Sequence, residues 1–227
     1  MFKKAVSSII VLGLVIGITS FYAPTTFSSQ APKSQAHPPL SKDQIKQWIQ
    51  QQSKKKDHYM EELAFQEINL DQDEELEVVA TITGGVHLGT FFLFDKQTNG
   101  SYQLVVEQPW KIDSLDLEQP VLEIGDKRIY QVVQHTGGTG VCEEIAILWY
   151  VDKGRFVEAW RGSLKEISSF QEEYYAMHGS YHIDGENLYY STTSYKRPDG
   201  DTKPITEFKQ ETVPYSFNGT LFEAVKK

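Results

Sequence analysis

Cysteine is almost missing from this chain. One residue, Cys142, in 227 excludes an intrachain disulfide framework and every zinc motif built on paired cysteines. An excess of positive charge is also missing: 22 Lys+Arg stand against 31 Asp+Glu, a formal charge of -9. Binding to nucleic acid or to an anionic membrane surface needs a cationic footprint, so neither is expected as the main partner. The glycines form neither a Gly-Lys-Ser/Thr phosphate loop nor a dinucleotide fingerprint, and there is no Gly-x-Ser-x-Gly elbow for a nucleophile. What is present in quantity is apolar and aromatic material, 40% and 12% of residues, enough for a packed core.

A long uncharged apolar run occurs at the N-terminal end. Lys3 and Lys4 precede Ala5 to Ala23, which includes IIVLGLVIGI. A basic start, an apolar run and a following polar segment with small residues match a secretory signal, with Ala31 or Ala36 as cleavage positions. The same run approaches the ~20 residues that span a bilayer, so an uncleaved anchor is the alternative. Residues 1–31 are therefore expected to be a signal peptide or membrane anchor, and the protein secreted or extracytoplasmic. Membrane contact is expected only through residues 5–23, if they are retained. Residues 32–40 read as a linker, Pro/Ser-rich from Pro24 onward. Cys142, inside an apolar strand pattern, is expected to be buried as a small hydrophobe.

An N-terminal helix is expected over residues 41–57. Ser41 and Gln44 have the spacing of a capping box, Leu40 and Ile45 that of a hydrophobic staple, and Ile45, Trp48 and Ile49 share a face. Lys54, Lys55 and Lys56 would complement the dipole at the helix end. From 65 to 227 the chain reads as all-β. VVATI, TFFLF, YQLVVE, RIYQVV, EIAILWYV, RFVEAW, LYYSTTSY and TLFEAV are short, β-branched or aromatic, and separated by Asn-Gly, Asp-Gly and Lys-Gly turns. The pieces also repeat. VVATITGGVHLGTFFLFDKQTNGSYQLVV aligns with VVQHTGGTGVCEEIAILWYVDKGRFVEAW, and a looser copy begins at Leu188. Antiparallel hairpins in a propeller-like array, or an irregular sandwich or barrel, are the expected architectures.

The segment Asn69-Leu70-Asp71-Gln72-Asp73-Glu74-Glu75-Leu76-Glu77 places oxygen side chains at positions one, three, five and nine of a tight loop. Such spacing lets them converge on a hard cation, and an apolar strand follows. The segment resembles the calcium loop of FG-GAP/VCBS-type repeats, Asp-x-Asp-x-Asp-Gly-x-x-Asp/Glu followed by a β-strand. The resemblance implies calcium held by the side chains of Asn69, Asp71, Asp73 and Glu77 and by the carbonyl of Glu75. Asn69 departs from the pattern's first acid, and Glu74 from its glycine. Without a metal, the segment would be an acidic turn in which Asp side chains cap backbone amides.

Catalytic signals are weak. His87 and His135 flank Gly-rich loops in the aligned copies and could share a face with Glu143 or Glu144 nearby. His178 and His182 have HxxxH spacing, but on a strand they would lie roughly 13 Å apart, too far for one metal. The expected function is an exported non-catalytic binding or interaction module with a structural calcium loop. Its partner would be an extracellular or envelope protein or a glycan, recognised through exposed Tyr and Trp. The alternatives are an extracytoplasmic hydrolase using a His87/His135 face and a membrane-anchored envelope partner protein.

Overall fold

The computed structural model describes residues 39–226, except 72, 74, 86–87, 113–114, 116, 171 and 199–202. The expected signal or anchor, and the linker up to residue 38, lie outside the described residues. Among those described, the order is helix α1 (Lys42–Gln52), a 3-10 turn (Met60–Glu62), then strands β1 (Leu63–Ile68), β2 (Glu77–Thr83), β3 (Gly89–Lys96) and β4 (Tyr102–Gln108). There follow β5 (Leu122–Ile124), β6 (Lys127–Gly138), β7 (Val141–Asp152), β8 (Arg155–Phe170), β9 (Glu173–Asp184), β10 (Asn187–Pro198), β11 (Glu207–Phe217) and β12 (Phe222–Ala224). The strands pair antiparallel with their sequence neighbours, giving a four-stranded sheet β1-β2-β3-β4 and an eight-stranded sheet running from β12 to β5. The all-β expectation holds. Of its alternative architectures, the one formed is an irregular sandwich, and no barrel closes among the described residues.

The capping box of α1 forms as expected: Gln44 N–H donates to Ser41 Oγ, and Ser41 N–H to Gln44 Oε1. The helix ends at Gln52 rather than at residue 57. Ser53 takes an extended conformation and the last turn carries no basic residue. Of the three lysines beyond it, Lys56 reaches back to donate to the carbonyls of Gln50 and Gln51, so it still satisfies helix-end acceptors. Ile45 and Ile49 pack on Val78, Ala80, Ile82, Phe92 and Phe94, one face of the small sheet. Trp48 stacks on Tyr102 with centroids 4.5 Å apart.

The uninterrupted apolar runs in β2, β3 and β7 are strands covered on both faces. Alternate residues of β2 and β3 (Val79, Phe91, Leu93) turn away from the helix and meet Tyr130, Val132, Ile147, Trp149 and Val151 of the large sheet. Trp110, Ile112 and Leu117, from the β4–β5 connection, complete this central core. On the other face of β7, Ala146, Leu148 and Tyr150 pack with Trp160, Leu188, Phe217 and Phe222. The eight-stranded sheet therefore coils over itself. Tyr181 on β9 bonds Gln131 on β6, and Tyr150 donates to the Thr220 carbonyl beyond β11.

The three aligned segments each form a three-stranded meander: β2-β3-β4, β6-β7-β8 and β10-β11-β12. Their Thr-Gly-Gly pieces are not equivalent. Thr83 ends β2 and Gly84-Gly85 begin a loop, whereas Thr136-Gly137-Gly138 lie within β6. Gly89 is required for packing, because a Cβ there would overlap the backbone of Lys111. Trp149 is fully buried and stacks on Phe156, edge-on to Phe91. Trp149→Ala is expected to cost about 3–5 kcal/mol in urea unfolding. A loss below about 1 kcal/mol would refute the central core as described.

Candidate functional site

The acidic segment joins β1 to β2 at the seam between the two sheets. Glu77 opens β2, a strand covered on both faces, and is 0% exposed. Its Oε2 accepts the Leu70 N–H at 2.6 Å, while Oε1, also buried, has no hydrogen-bond partner among the described residues. One carboxylate oxygen from each of Asp71, Asp73 and Glu77 lies within 4.8 Å of the other two. Asp73 Oδ1 accepts the Glu75 N–H at 2.7 Å, and Asp71 Oδ1 accepts the Asp73 N–H at 3.4 Å. The loop is thus partly a set of capped turns, yet these caps leave the Glu77 oxygen unanswered.

Electrostatics are unfavourable without a cation. Burial, with repulsion from Asp71 and Asp73, outweighs the Leu70 hydrogen bond and pushes Glu77 up to about 7. Burial and the Asp73 charge raise Asp71. Asp95, on β3, is raised by burial and by Asp71, although Gln97 donates to it at 3.0 Å. Sequence spacing gave no sign of Asp95, which comes close through strand pairing. On the outer side a recess of about 320 Å³ is lined by Asp71, Asp73, Asp126 and Asp152, with Lys127 and Lys153. Lys127 is paired with Asp126 at 3.0 Å.

The five expected ligands are not all used alike. Asp71, Asp73 and Glu77 converge. Asn69 has partners of its own: its amide donates to the Asp73 carbonyl, and its Oδ1 accepts from Arg128 at 3.3 Å. Its backbone carbonyl accepts from Arg128 and Tyr130. Glu75 is engaged through its N–H. The donor set that converges is all oxygen and anionic, which fits a hard divalent ion.

His87 lies outside the described residues. His135 is half-buried on β6, 3.6 Å from Glu144. His178 and His182 are both exposed on β9, pairing with Thr193 and Tyr189 of β10 rather than with each other. A polar trio that sequence did not suggest sits at the exit of α1, beside a cleft of about 360 Å³. Ser53 Oγ lies 2.7 Å from the Lys55 carbonyl, 2.8 Å from His58 Nε2 and 2.9 Å from Glu107 Oε1. In a nucleophilic relay the imidazole stands between hydroxyl and carboxylate. Here the hydroxyl meets both, the same His58 Nε2 lies 3.6 Å from the same Glu107 Oε1, and Ser53 is 2% exposed. Glu107 also accepts the Lys54 N–H at 2.9 Å, so the trio clamps the helix exit to β4. Burial lowers His58 despite the neighbouring Glu107.

Compared with known protein families, curated proteins and solved structures, the chain finds no match in any of the three. The geometry of the acidic site gives a test of its own. With Glu77 raised from 4.5 to about 7, the folded chain holds a proton that the unfolded chain has lost between those values. The stability it contributes is full below 4.5 and is lost as pH rises through about 7. In chelator, wild type should lose up to about 3 kcal/mol relative to Glu77→Gln between those limits, read by urea unfolding at a series of pH values. A difference that stays flat with pH would refute the buried, unpaired carboxylate.

Proposed function

We propose that the chain is an exported, non-catalytic binding or interaction module whose β1–β2 loop holds a structural calcium ion. The observation that carries the calcium reading is the buried, unpartnered Glu77 oxygen converging with Asp71 and Asp73. A divalent cation would answer that oxygen and offset the burial and mutual repulsion that raise Glu77 and Asp71. Asp71, Asp73 and Glu77 would be the protein ligands, and water would complete the shell, as calcium takes 6–8 oxygens. The ion would pin the entry of β2 at the point where the small sheet meets the large one. Export is supported by the basic start and apolar run of residues 3–23. Extracellular calcium modules work with weak sites of roughly 10⁻⁴–10⁻³ M, which a three-carboxylate loop can reach. The partner class remains an extracellular or envelope protein or a glycan. The resemblance to FG-GAP/VCBS-type loops supports the same ion, on about a dozen residues of the chain.

Thermal unfolding of the full chain in about 10 mM calcium against excess chelator tests this. Binding of that strength should add about 1–3 kcal/mol, or about 3–10 °C in Tm. The shift should vanish in Asp71→Asn/Asp73→Asn, while magnesium, which demands tighter octahedral geometry, should give a smaller one. No calcium shift in wild type would sink the reading.

A further inference from the structure

The β6–β7 hairpin carries a second group of convergent side chains, chemically unlike the acidic loop. His135 pairs directly with Glu144, and Gly137 with Cys142. Strand alternation puts His135, Glu144 and Cys142 on one face of the hairpin, and Gly137 adds no side chain opposite the thiol. One ring nitrogen, one carboxylate oxygen and the sulfur lie within 4.8 Å of one another, and all three residues are half-buried. Cys142 is therefore not the buried hydrophobe that its apolar strand suggests. We propose that Cys142, His135 and Glu144 form a binding site for a transition-metal dication of zinc-like, borderline-soft character.

Geometry separates this from a nucleophilic relay. A thiol–imidazole–carboxylate relay keeps its outer members roughly 7 Å apart, with the ring between them. Here sulfur and carboxylate are both near the ring and near each other, so the three atoms enclose a point. Tetrahedral zinc sets its ligand atoms roughly 3.3–3.7 Å apart, within reach by small rotamer changes. Sulfur and nitrogen donors exclude calcium and magnesium, which take oxygen, and three protein ligands leave a fourth position for water.

The groups around the site bear on affinity. Lys165 on β8 lies 3.5 Å from the same Glu144 oxygen that His135 meets at 3.6 Å. Its ammonium competes with a metal for that carboxylate, and a third of the side chain is exposed, so it can swing into solvent. Ile167 pairs with Cys142 on the β8 side. His178 pairs with Lys165, two strands from Glu144 and about 9–10 Å away, so it does not join the set.

The full, reduced chain, with calcium in excess to fill the acidic loop, is titrated with cobalt(II). A thiolate-to-cobalt charge-transfer band reports a sulfur–metal bond that an oxygen-only loop cannot produce. We expect a band that saturates at one cobalt per chain, is displaced by zinc and is lost in Cys142→Ser. His135→Gln and Glu144→Gln should each weaken binding at least tenfold, and Lys165→Met should strengthen it. No band, or a band of unchanged affinity in both His135→Gln and Glu144→Gln, overturns the proposal. Unaltered protein gives a second measure: zinc should slow alkylation of Cys142, and an unchanged rate in saturating zinc overturns it equally.

Discussion

Burial of β7 on both faces sets where the other layers can lie. Ile147, Trp149 and Val151 need apolar partners on one side, and Ala146, Leu148 and Tyr150 on the other. A flat sheet can cover neither. The small sheet supplies Phe91 and Leu93 to the first face, and the large sheet must coil to bring Leu188, Phe217 and Phe222 to the second. Each such side chain removed from water stabilises the fold by about 1.5–3 kcal/mol. Paired losses on both sides would therefore leave little net stability. The same demand repeats on a smaller scale in β2 and β3, where α1 covers the face that the large sheet does not.

That layering explains why a carboxylate in β2 is costly. Glu77 takes the first position of a strand whose following five residues are buried. It cannot turn to solvent without moving the strand. One hydrogen bond from Leu70 offsets part of the penalty, and Asp71 and Asp73 add to it. A natural chain that keeps such a group in a central strand has a compensating interaction for it. The calcium ion proposed above would be one such interaction, held by neighbours already in the loop.

Much of this was legible in the sequence, and the gaps have a common cause. Ser41 and Gln44 act within one helical turn, so their capping box was readable. So were the strands whose turns carry Gly at positive φ, such as Gly154 and Gly185. Asp71, Asp73 and Glu77 were readable because loop spacing alone brings them together. The helix end was not, because it is fixed by Glu107 gripping Ser53 and Lys54 across more than fifty residues. The second half of β8 is not legible because Gly162, Ser163, Lys165 and Glu166 interrupt its apolar pattern. Asp95 beside the loop and Cys142 beside His135 depend on register, and a shift of one residue would turn either to the opposite face.

Asn69 shows how a departure from a local pattern can follow from a distant contact. Read within the loop, Asn in place of an acid merely lowers ligand charge. In the fold, residue 69 faces Arg128, which donates to both its carbonyl and its Oδ1, while Tyr130 donates to the carbonyl. Arg128 also meets Glu123 at 3.5 Å. An aspartate at 69 would draw the guanidinium into a stronger charged pair and lose the amide N–H that now donates to the Asp73 carbonyl. Asparagine can accept from Arg128 and donate to the loop at once, so it ties the large sheet to the turn while leaving the three carboxylates their charge. Residue 69 thus serves the loop as a brace between sheets, and in the proposed calcium site the ion-facing role would fall to Asp71, Asp73 and Glu77.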